Sequence, residues 1–463
     1  MMTIDELKQK ISTLDEAVLK DFVVNLYQNH PELSSVIETL VLYDDPAALA
    51  KHILKRIQSV SRGRKYIDWR LNADFSHKLE SIVTDIEDGL LERSPKHAFS
   101  LLDKFVATAD KVYERVDDSS GSVGGVYYDA VLLWLRAAKA WKASSNAGAK
   151  VNWLERVYTL YLGNDYAVFD NLLPNSAILL NQDQLTQLAW RYESELKQAL
   201  KTPSNEYSFN AKASSACVAL GAVAEALKDP KLYERATLIS SPEPNDLQKK
   251  SIIQIYLKFD QTDEALNWLN TPWLARFETD RLSLLDQAYQ QSGQVDELIK
   301  TRYLTYCHDK QHVSFMRYFE LLNDEEKQQA RLEAIQTAAQ GDELLANIDL
   351  LLKLDEPVRA QVLVLANLDK INDSFYGSLL DIAKQLEEHQ CWLAATACYR
   401  SLLWGILNAA RTKAYTHGAK YYKKLAVMLS DIHEFEPLVE HEVFIEQLKK
   451  KHGLKRSFWD RVL

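Results

Sequence analysis

Two similar stretches, SIIQIYLKFDQTDEALNWL at residues 251–269 and LLDQAYQQSGQVDELIKTR at residues 284–302, carry the strongest signal of the fold. They begin 33 residues apart, and superposition aligns the pairs Gln254/Gln287, Tyr256/Tyr289, Gln261/Gln294, Asp263/Asp296 and Glu264/Glu297. Each copy reads as a helix with an aromatic residue, a polar turn, and a second helix whose first turn is acidic. Acidic residues are favourable there because unpaired amide N–H groups attract negative charge. The spacing is close to that of a tetratricopeptide unit.

The same pattern continues along the chain at irregular intervals. The stretch LLDIAKQLEEHQCWLAATACYRSLL begins at Leu379, and Gly341-Asp342-Glu343 opens another helix in the same way. One helical pair cannot bury its own apolar face, so neighbouring pairs must stack. The sequence therefore predicts an all-α fold, an irregular α-solenoid of stacked helical pairs that is tetratricopeptide-like.

Composition agrees with a helical protein that stays in solution. Among 463 residues there are 14 glycines and 11 prolines, which favours long helices over sheets and turns. No stretch approaches the roughly 20 apolar residues that span a bilayer, and the start of the chain lacks the pattern of a secretory signal. The four cysteines have no framework spacing, which predicts reduced thiols in the cytoplasm.

Three helical regions are predicted. They are an N-terminal region at 1–115, a middle region at 116–240 that opens with the turn DDSSGSVGG, and a tetratricopeptide-like array at 241–463 with a C-terminal capping segment. Helices are predicted after caps at Thr3 or Asp5 and at Asp15, and over 46–60, 74–93, 97–115, 126–143 and 149–162. Linkers are predicted at 201–206 and 240–246.

No motif in the chain dictates a reaction, so we expect no enzymatic activity, no metal and no cofactor. His308 and His312 stand at i and i+4, the spacing of two ligands on one helical face, but a glutamate base and a third ligand are missing. A polar helix end is the favoured interpretation. Cys391 and Cys398 are interpreted as small core residues.

The acidic run near residue 117 resembles a calcium loop only superficially. Asp117, Asp118, Ser119 and Gly121 lack the loop's repeated acidic pattern and its terminal glutamate. We predict a structural turn in which Asp or Ser oxygens cap the helix that starts near Val126.

Two basic patches contrast with the net charge of −10. The first, at residues 55–70, holds Lys55, Arg56, Arg62, Arg64, Lys65 and Arg70 with Tyr66 and Trp69 between them; the second, at 449–461, includes Lys449, Lys451, Lys455 and Arg456. Cations with aromatic rings suit single-stranded nucleic acid, although a charge run is more often a solvated face. In the tail we predict that Phe458 and Trp459 cap the last helical pair, with Trp459 contributing most.

Six stretches resemble a family of uncharacterised bacterial all-helical proteins over nearly the full length. They are SRGRKYIDWR (61–70), ERVDDSSGSVGGVYYDA (114–130), TDEALNWL (262–269), SLLDQAYQQSGQVDELIKTR (283–302), ACYRSLLWGILNAARTKAYTHGAKYYKKL (397–425) and LKKKHGLKRSFWDRV (448–462). The C-terminal part is similar to the helical region that follows the zinc finger in some bacterial SWIM-domain proteins. The zinc motif is absent here, so the resemblance implies the fold but no metal and no activity.

These observations predict a non-enzymatic helical-repeat scaffold that binds a protein or peptide along a concave face. The alternative is a nucleic-acid-associated protein that uses the patches at 55–70 and 449–461, in a defence or mobile-element setting. Salt dependence separates the two, because binding to phosphates weakens steeply as salt rises.

Overall fold

The computed structural model of the protein describes residues 2–30, 33–164, 166–201, 210–372 and 375–462. Across these ranges the chain forms 27 α-helices and no β-strand, so the all-α prediction is confirmed. A parallel bridge between Ile67 and Val116 is the one strand-like pairing in them. No helix in the described parts combines the length and the apolar character that crossing a membrane requires. The linker predicted at 201–206 lies, apart from Lys201, outside the described residues.

The chain divides into two compact units, residues 1–255 and 256–463, each with its own apolar core. The first unit contains α1 (Ile4–Ile11), α2 (Glu16–Asn29), α3 (Ser34–Val41), α4 (Pro46–Arg62), α5 (Asn72–Leu90), α6 (Pro95–Val106), α7 (Ala109–Tyr113), α8 (Ser122–Ser144), α9 (Asn146–Ala149), α10 (Trp153–Leu162), α11 (Gln182–Lys201), α12 (Ala211–Leu227), α13 (Pro230–Ser240) and most of α14 (Asp246–Lys258). The three-region division after residues 115 and 240 stays a prediction.

The second unit begins within α14. It contains α15 (Thr262–Leu269), α16 (Glu278–Ser292), α17 (Val295–Asp309), α18 (His312–Phe319), α19 (Asp324–Gln340), α20 (Leu344–Lys353), α21 (Pro357–Ala366), α22 (Leu368–Asn372), α23 (Tyr376–Glu388), α24 (Trp392–Asn408), α25 (Tyr415–Met428), α26 (His441–His452) and α27 (Arg456–Val462). The stretch 240–246, predicted as an internal joint, contains the connection between α13 and α14, whereas the boundary between the two units falls after Ile255.

A common turn joins the two helices of five pairs. After the first helix comes a residue with φ between 55° and 70°: Lys228, Asp260, Gly293, Asp355 or Gln390. The next residue donates its amide to a carbonyl five residues earlier, at 2.8–3.1 Å, and the second helix begins directly after it. This is the Schellman arrangement, which satisfies the last carbonyls of a helix. Because Asp260 and Gly293 are 33 residues apart, the sequence repeat is also a repeat of backbone geometry.

The helix caps predicted near the start of the chain are confirmed. Thr3 Oγ1 accepts from Glu6 N (3.3 Å) and Glu6 Oε2 accepts from Thr3 N (2.8 Å), which forms a capping box before α1. Asp15 Oδ1 accepts from Ala17 N (2.7 Å) before α2.

Three predicted helix boundaries are wrong. The helix predicted at 97–115 is broken at Thr108, whose hydroxyl lies 2.6 Å from the Phe105 carbonyl and 2.7 Å from Tyr127 Oη. The helix predicted at 149–162 starts only at Trp153, after the cap Asn152. The helix expected near Val126 begins four residues earlier, at Ser122.

Candidate binding surfaces

Two stretches that are far apart in sequence lie side by side in the first unit. We call residues 61–70 the basic loop and residues 117–125 the acidic turn. Ile67 N donates to Arg115 O (2.9 Å), and Asp117 N donates to Ile67 O (3.0 Å). Asn72, which is 1% exposed, donates its side-chain amide to Asp118 Oδ1 (2.8 Å). The acidic turn therefore bonds the basic loop at Ile67 and the start of α5 at Asn72.

Asp118 is the centre of the acidic turn. Its Oδ1 accepts from Val123 N (3.0 Å) and its Oδ2 accepts from Gly124 N (2.7 Å), so this carboxylate caps α8 and moves its start to Ser122. Gly121 has φ +73°, which glycine adopts without strain. A Cβ on Gly124 would come within 3.1 Å of the Tyr113 hydroxyl, so glycine permits this close approach.

Asp117 has a smaller part in the same turn. Its Oδ1 accepts from Ser119 N (3.2 Å) and from Ser119 Oγ (2.6 Å). These bonds shape the turn locally, whereas those of Asp118 reach α5 and α8. The contacts are those of a capped turn made by protein groups.

The basic loop presents unpaired cations and exposed rings. Its cations Arg62, Arg64, Lys65 and Arg70 are all exposed, and no ion pair joins them to another described residue. Tyr66 is 61% exposed and Trp69 is 57% exposed. Arg56 of the same sequence patch is different, because it pairs with Asp85 and donates to Ser81 Oγ (2.8 Å). The patch thus contains one arginine that is paired within the structure and a loop whose exposed cations have no ion pair.

The C-terminal patch is also divided. Lys449, Lys451 and Arg456 are exposed, and Lys455 is half-buried. Phe458 is fully buried in the core of the second unit, with its ring centroid 5.9 Å from that of Tyr415. Trp459 is only partly buried, and its Nε1 donates to the His452 carbonyl (3.0 Å). The aromatic pair thus packs α27 onto the unit while Lys449 and Lys451 remain exposed.

The histidine pair does not share a helical face. Lys310, with φ +55°, ends α17 after Asp309, and His312 opens α18. The i, i+4 geometry considered from sequence is therefore wrong at His308 and His312. In the described ranges no group of three or more His, Cys, Asp or Glu side chains is placed to hold a metal ion.

The two closely spaced cysteines lie in the core of the second unit. Cys398 is fully buried and Cys391 is 8% exposed, which agrees with the interpretation of both as small core residues. Burial raises the pKa of the Cys398 thiol to about 12. A thiol in this state is a poor nucleophile, because the thiolate is the reactive form.

The N-terminal helices expose an apolar face that sequence reasoning did not identify. None of the residues of α1, α2 and α3 is buried. Fourteen of the 37 exposed large apolar side chains in the described residues fall between Met2 and Tyr43: Met2, Ile4, Leu7, Ile11, Leu14, Val18, Phe22, Val24, Tyr27, Leu33, Val36, Leu40, Val41 and Tyr43. Most of them follow one another at three or four residues, a spacing that was visible, but spacing does not reveal whether a face is covered. We call these side chains the apolar face.

Polar contacts attach the apolar face to the rest of the first unit. Glu38 of α3 lies 2.9 Å from His52 Nδ1 and accepts from Tyr27 Oη (2.9 Å). Thr39 Oγ1 donates to Asp85 Oδ2 (3.2 Å). These contacts attach α3 to α4 and α5, and they attach α2 to α3 through Tyr27.

A cleft of about 770 Å³ lies between α11 and α12. Tyr161, Tyr192, Glu195 and Ser214 are among the residues that line it. Tyr192 is 2% exposed and its hydroxyl has no partner among the described residues, while burial raises its pKa and keeps it protonated. Glu195 accepts from Tyr158 Oη (2.8 Å). The cleft offers hydrogen-bonding groups, but no His or Cys is among the described residues that line it.

These features define an all-α protein whose distinctive surfaces are an uncovered helical face and a basic loop. The model of a family described as a family of unknown function (DUF6880) matches residues 8–461. The chain therefore belongs to this family. This confirms the predicted resemblance to an uncharacterised family over nearly the full length. No curated protein and no solved structure matches the chain.

Proposed function

We propose that this protein is a non-enzymatic helical scaffold that binds another protein through the apolar face of α1–α3. The observation that carries the proposal is the concentration of exposed large apolar side chains between Met2 and Tyr43, where no residue of the helices is fully buried. Helices with so little burial are marginal in water, since packing supplies most helical stability. A partner would supply that packing.

The size of the apolar face fits an interface. A large aliphatic side chain carries on the order of 100 Å² of apolar surface, and the fourteen are about half exposed, which gives roughly 700 Å². A standard interface buries about 800 Å² on each partner.

Charge favours a protein over a lipid surface as the occupant. Residues 2–29 contain three lysines and five acidic residues. Helices that lie on anionic membranes carry an excess of Lys and Arg on the polar face. Apolar residues at three- and four-residue spacing instead suit packing against a helix of a partner protein.

Three finer features belong to the same proposal. The repeated Schellman turns support a tetratricopeptide-like solenoid, the free buried thiols support a cytoplasmic location, and the absence of a catalytic motif supports a binding role. A likeness of the C-terminal part to the helical region of bacterial SWIM zinc-finger proteins would fit such a scaffold.

The test compares partner binding by the full chain and two variants. In the first, Leu7→Gln and Phe22→Gln place amides on the apolar face; in the matched control, Val218→Gln and Val427→Gln change side chains that are 61% and 74% exposed elsewhere. We expect a protein captured by the wild type and the control to be lost with the first variant, and its Kd, measured with purified components, to rise at least about tenfold. Equal binding by all three, or sedimentation as a homodimer that only the first variant disrupts, would overturn the proposal.

A further inference from the structure

Arginines whose side chains have no ion pair or hydrogen bond to another described residue set the basic loop apart from the rest of the first unit. Elsewhere in that unit six arginines lie against carboxylates: Arg56, Arg93, Arg136, Arg156, Arg191 and Arg235. The four cations of the basic loop have no such partner among the described residues, although the chain carries ten more negative than positive charges. The loop contains one acidic residue, Asp68, and its carboxylate accepts a hydrogen bond from Arg70 N (3.0 Å). The loop therefore presents positive charge that no described carboxylate neutralises by contact.

Two aromatic rings stand among these cations. Tyr66 and Trp69 are more than half exposed, and the Arg70 guanidinium lies 5.3 Å from the Trp69 ring centroid. Stacking of unpaired bases on aromatic rings, with phosphates on neighbouring cations, is how single strands are bound without sequence preference.

The loop is held rigidly in this arrangement. Between the two rings, Ile67 turns inward, packs against the core and bonds residues 115 and 117. Arg115 donates to Val60 O (3.1 Å) and to Lys65 O (3.3 Å), and Gly63 leaves room for its guanidinium. A surface that is already ordered loses less conformational entropy when it binds.

We infer that the basic loop is a binding surface for single-stranded nucleic acid. This goes beyond the proposed function, since the apolar face is a different surface on different helices. Duplex DNA hides the faces of its bases, and an acidic peptide would need the cations but not the rings. The rings are the feature that favours a single strand over both.

The experiment measures binding of a labelled oligonucleotide of about 15 unpaired nucleotides by fluorescence anisotropy, with DNA and RNA in separate titrations. We expect Tyr66→Ala and Trp69→Ala each to weaken binding roughly tenfold. Trp190→Ala, which removes a 73% exposed ring on α11, is the matched control and should have no effect.

Charge is tested through salt dependence. The double variant Arg62→Gln with Arg64→Gln should make the negative slope of log K against log salt less steep by about 1.4, since each phosphate contact on a single strand contributes about 0.7. Lys449→Gln with Lys450→Gln, which removes two cations of the second patch, should leave the slope unchanged.

Three outcomes would overturn the inference. They are no binding of single strands at low salt, binding that depends on the arginines but not on the rings, and equal competition by a polyglutamate peptide. The Tyr66 and Trp69 variants lie outside α1–α3. Binding of a protein partner is measured separately, with the Leu7 and Phe22 variant, so either proposal can fail while the other holds.

Discussion

Adjacent residues in the tail have unequal parts in the packing. Phe458 is fully buried and a Cβ on Gly418 would lie 3.2 Å from its ring, so the site is tightly filled. Trp459 is partly exposed and bonds a backbone carbonyl. Size alone suggested that Trp459 contributes more, but burial reverses that order, because a cavity forms only where atoms are enclosed.

Phe458→Ala should therefore destabilise the second unit by about 3–5 kcal/mol, and Trp459→Ala by clearly less. Urea unfolding followed by circular dichroism measures both. Lys449→Gln, Lys450→Gln and Lys451→Gln together serve as the control and should be nearly neutral, since exposed cations contribute little. A silent Phe458→Ala would show that α27 does not stabilise the unit.

The two aspartates of the acidic turn differ in the same way. Asp118→Ala should cost about 2 kcal/mol, because α8 loses its cap and buried Asn72 loses an acceptor. Asp117→Ala, the matched control, should cost about 0.5 kcal/mol, because its bonds stay within the exposed turn. Thermal unfolding with and without a chelator measures both, and the chelator should change neither midpoint. A rise of several degrees with calcium would instead indicate a metal site.

At the scale of elements, the repeated turn explains why the repeat was only partly visible. Gly293 is a glycine at the left-handed position, and its polar turn was predicted. Gln390 adopts the same φ without glycine, and its turn was found only through the helical pattern that begins at Leu379; Lys228 also lacks glycine, and no repeat was predicted around it. The sequence pattern predicted the class of fold and several caps well. It could not predict α1–α3 as an uncovered face, since amphipathic spacing is the same for a covered and an uncovered helix.

The turn residues can be exchanged as a test of this account. Lys228→Gly should raise stability by about 0.5–1 kcal/mol, because glycine removes the left-handed penalty but loses more chain entropy on folding. Gly293→Ala should lower stability by about 1 kcal/mol, because alanine introduces the left-handed penalty that glycine avoids. Both sites are exposed, and a Cβ at Gly293 would meet no atom within 4 Å, so packing does not confuse the comparison. Denaturant midpoints of the two variants moving in the same direction would contradict this explanation.

At the scale of the molecule, the half-buried His441 and the buried His452 of the second unit link its stability to pH. Burial lowers the pKa of His441, with Arg400 beside it acting in the same direction and Glu442 opposing. Burial also lowers the pKa of His452, and Lys455 and Lys451 lower it further. Both side chains stay neutral in the fold at a pH where an unfolded histidine gains a proton.

The sign of the pH effect follows from these shifts. As the pH decreases below the unfolded pKa of about 6.5, the unfolded chain binds more protons than the folded chain. The free energy of unfolding therefore decreases as the pH decreases, until the folded pKa is reached. The melting temperature should therefore drop between about pH 7.5 and about pH 5.5, a range above the titration of ordinary carboxylates. His441→Gln with His452→Gln should flatten that drop, whereas His77→Gln, which changes a 76% exposed side chain, should not. An unchanged slope in the double variant would show that other groups set the acid sensitivity, among them His312, whose pKa is also lowered by burial and by Lys353.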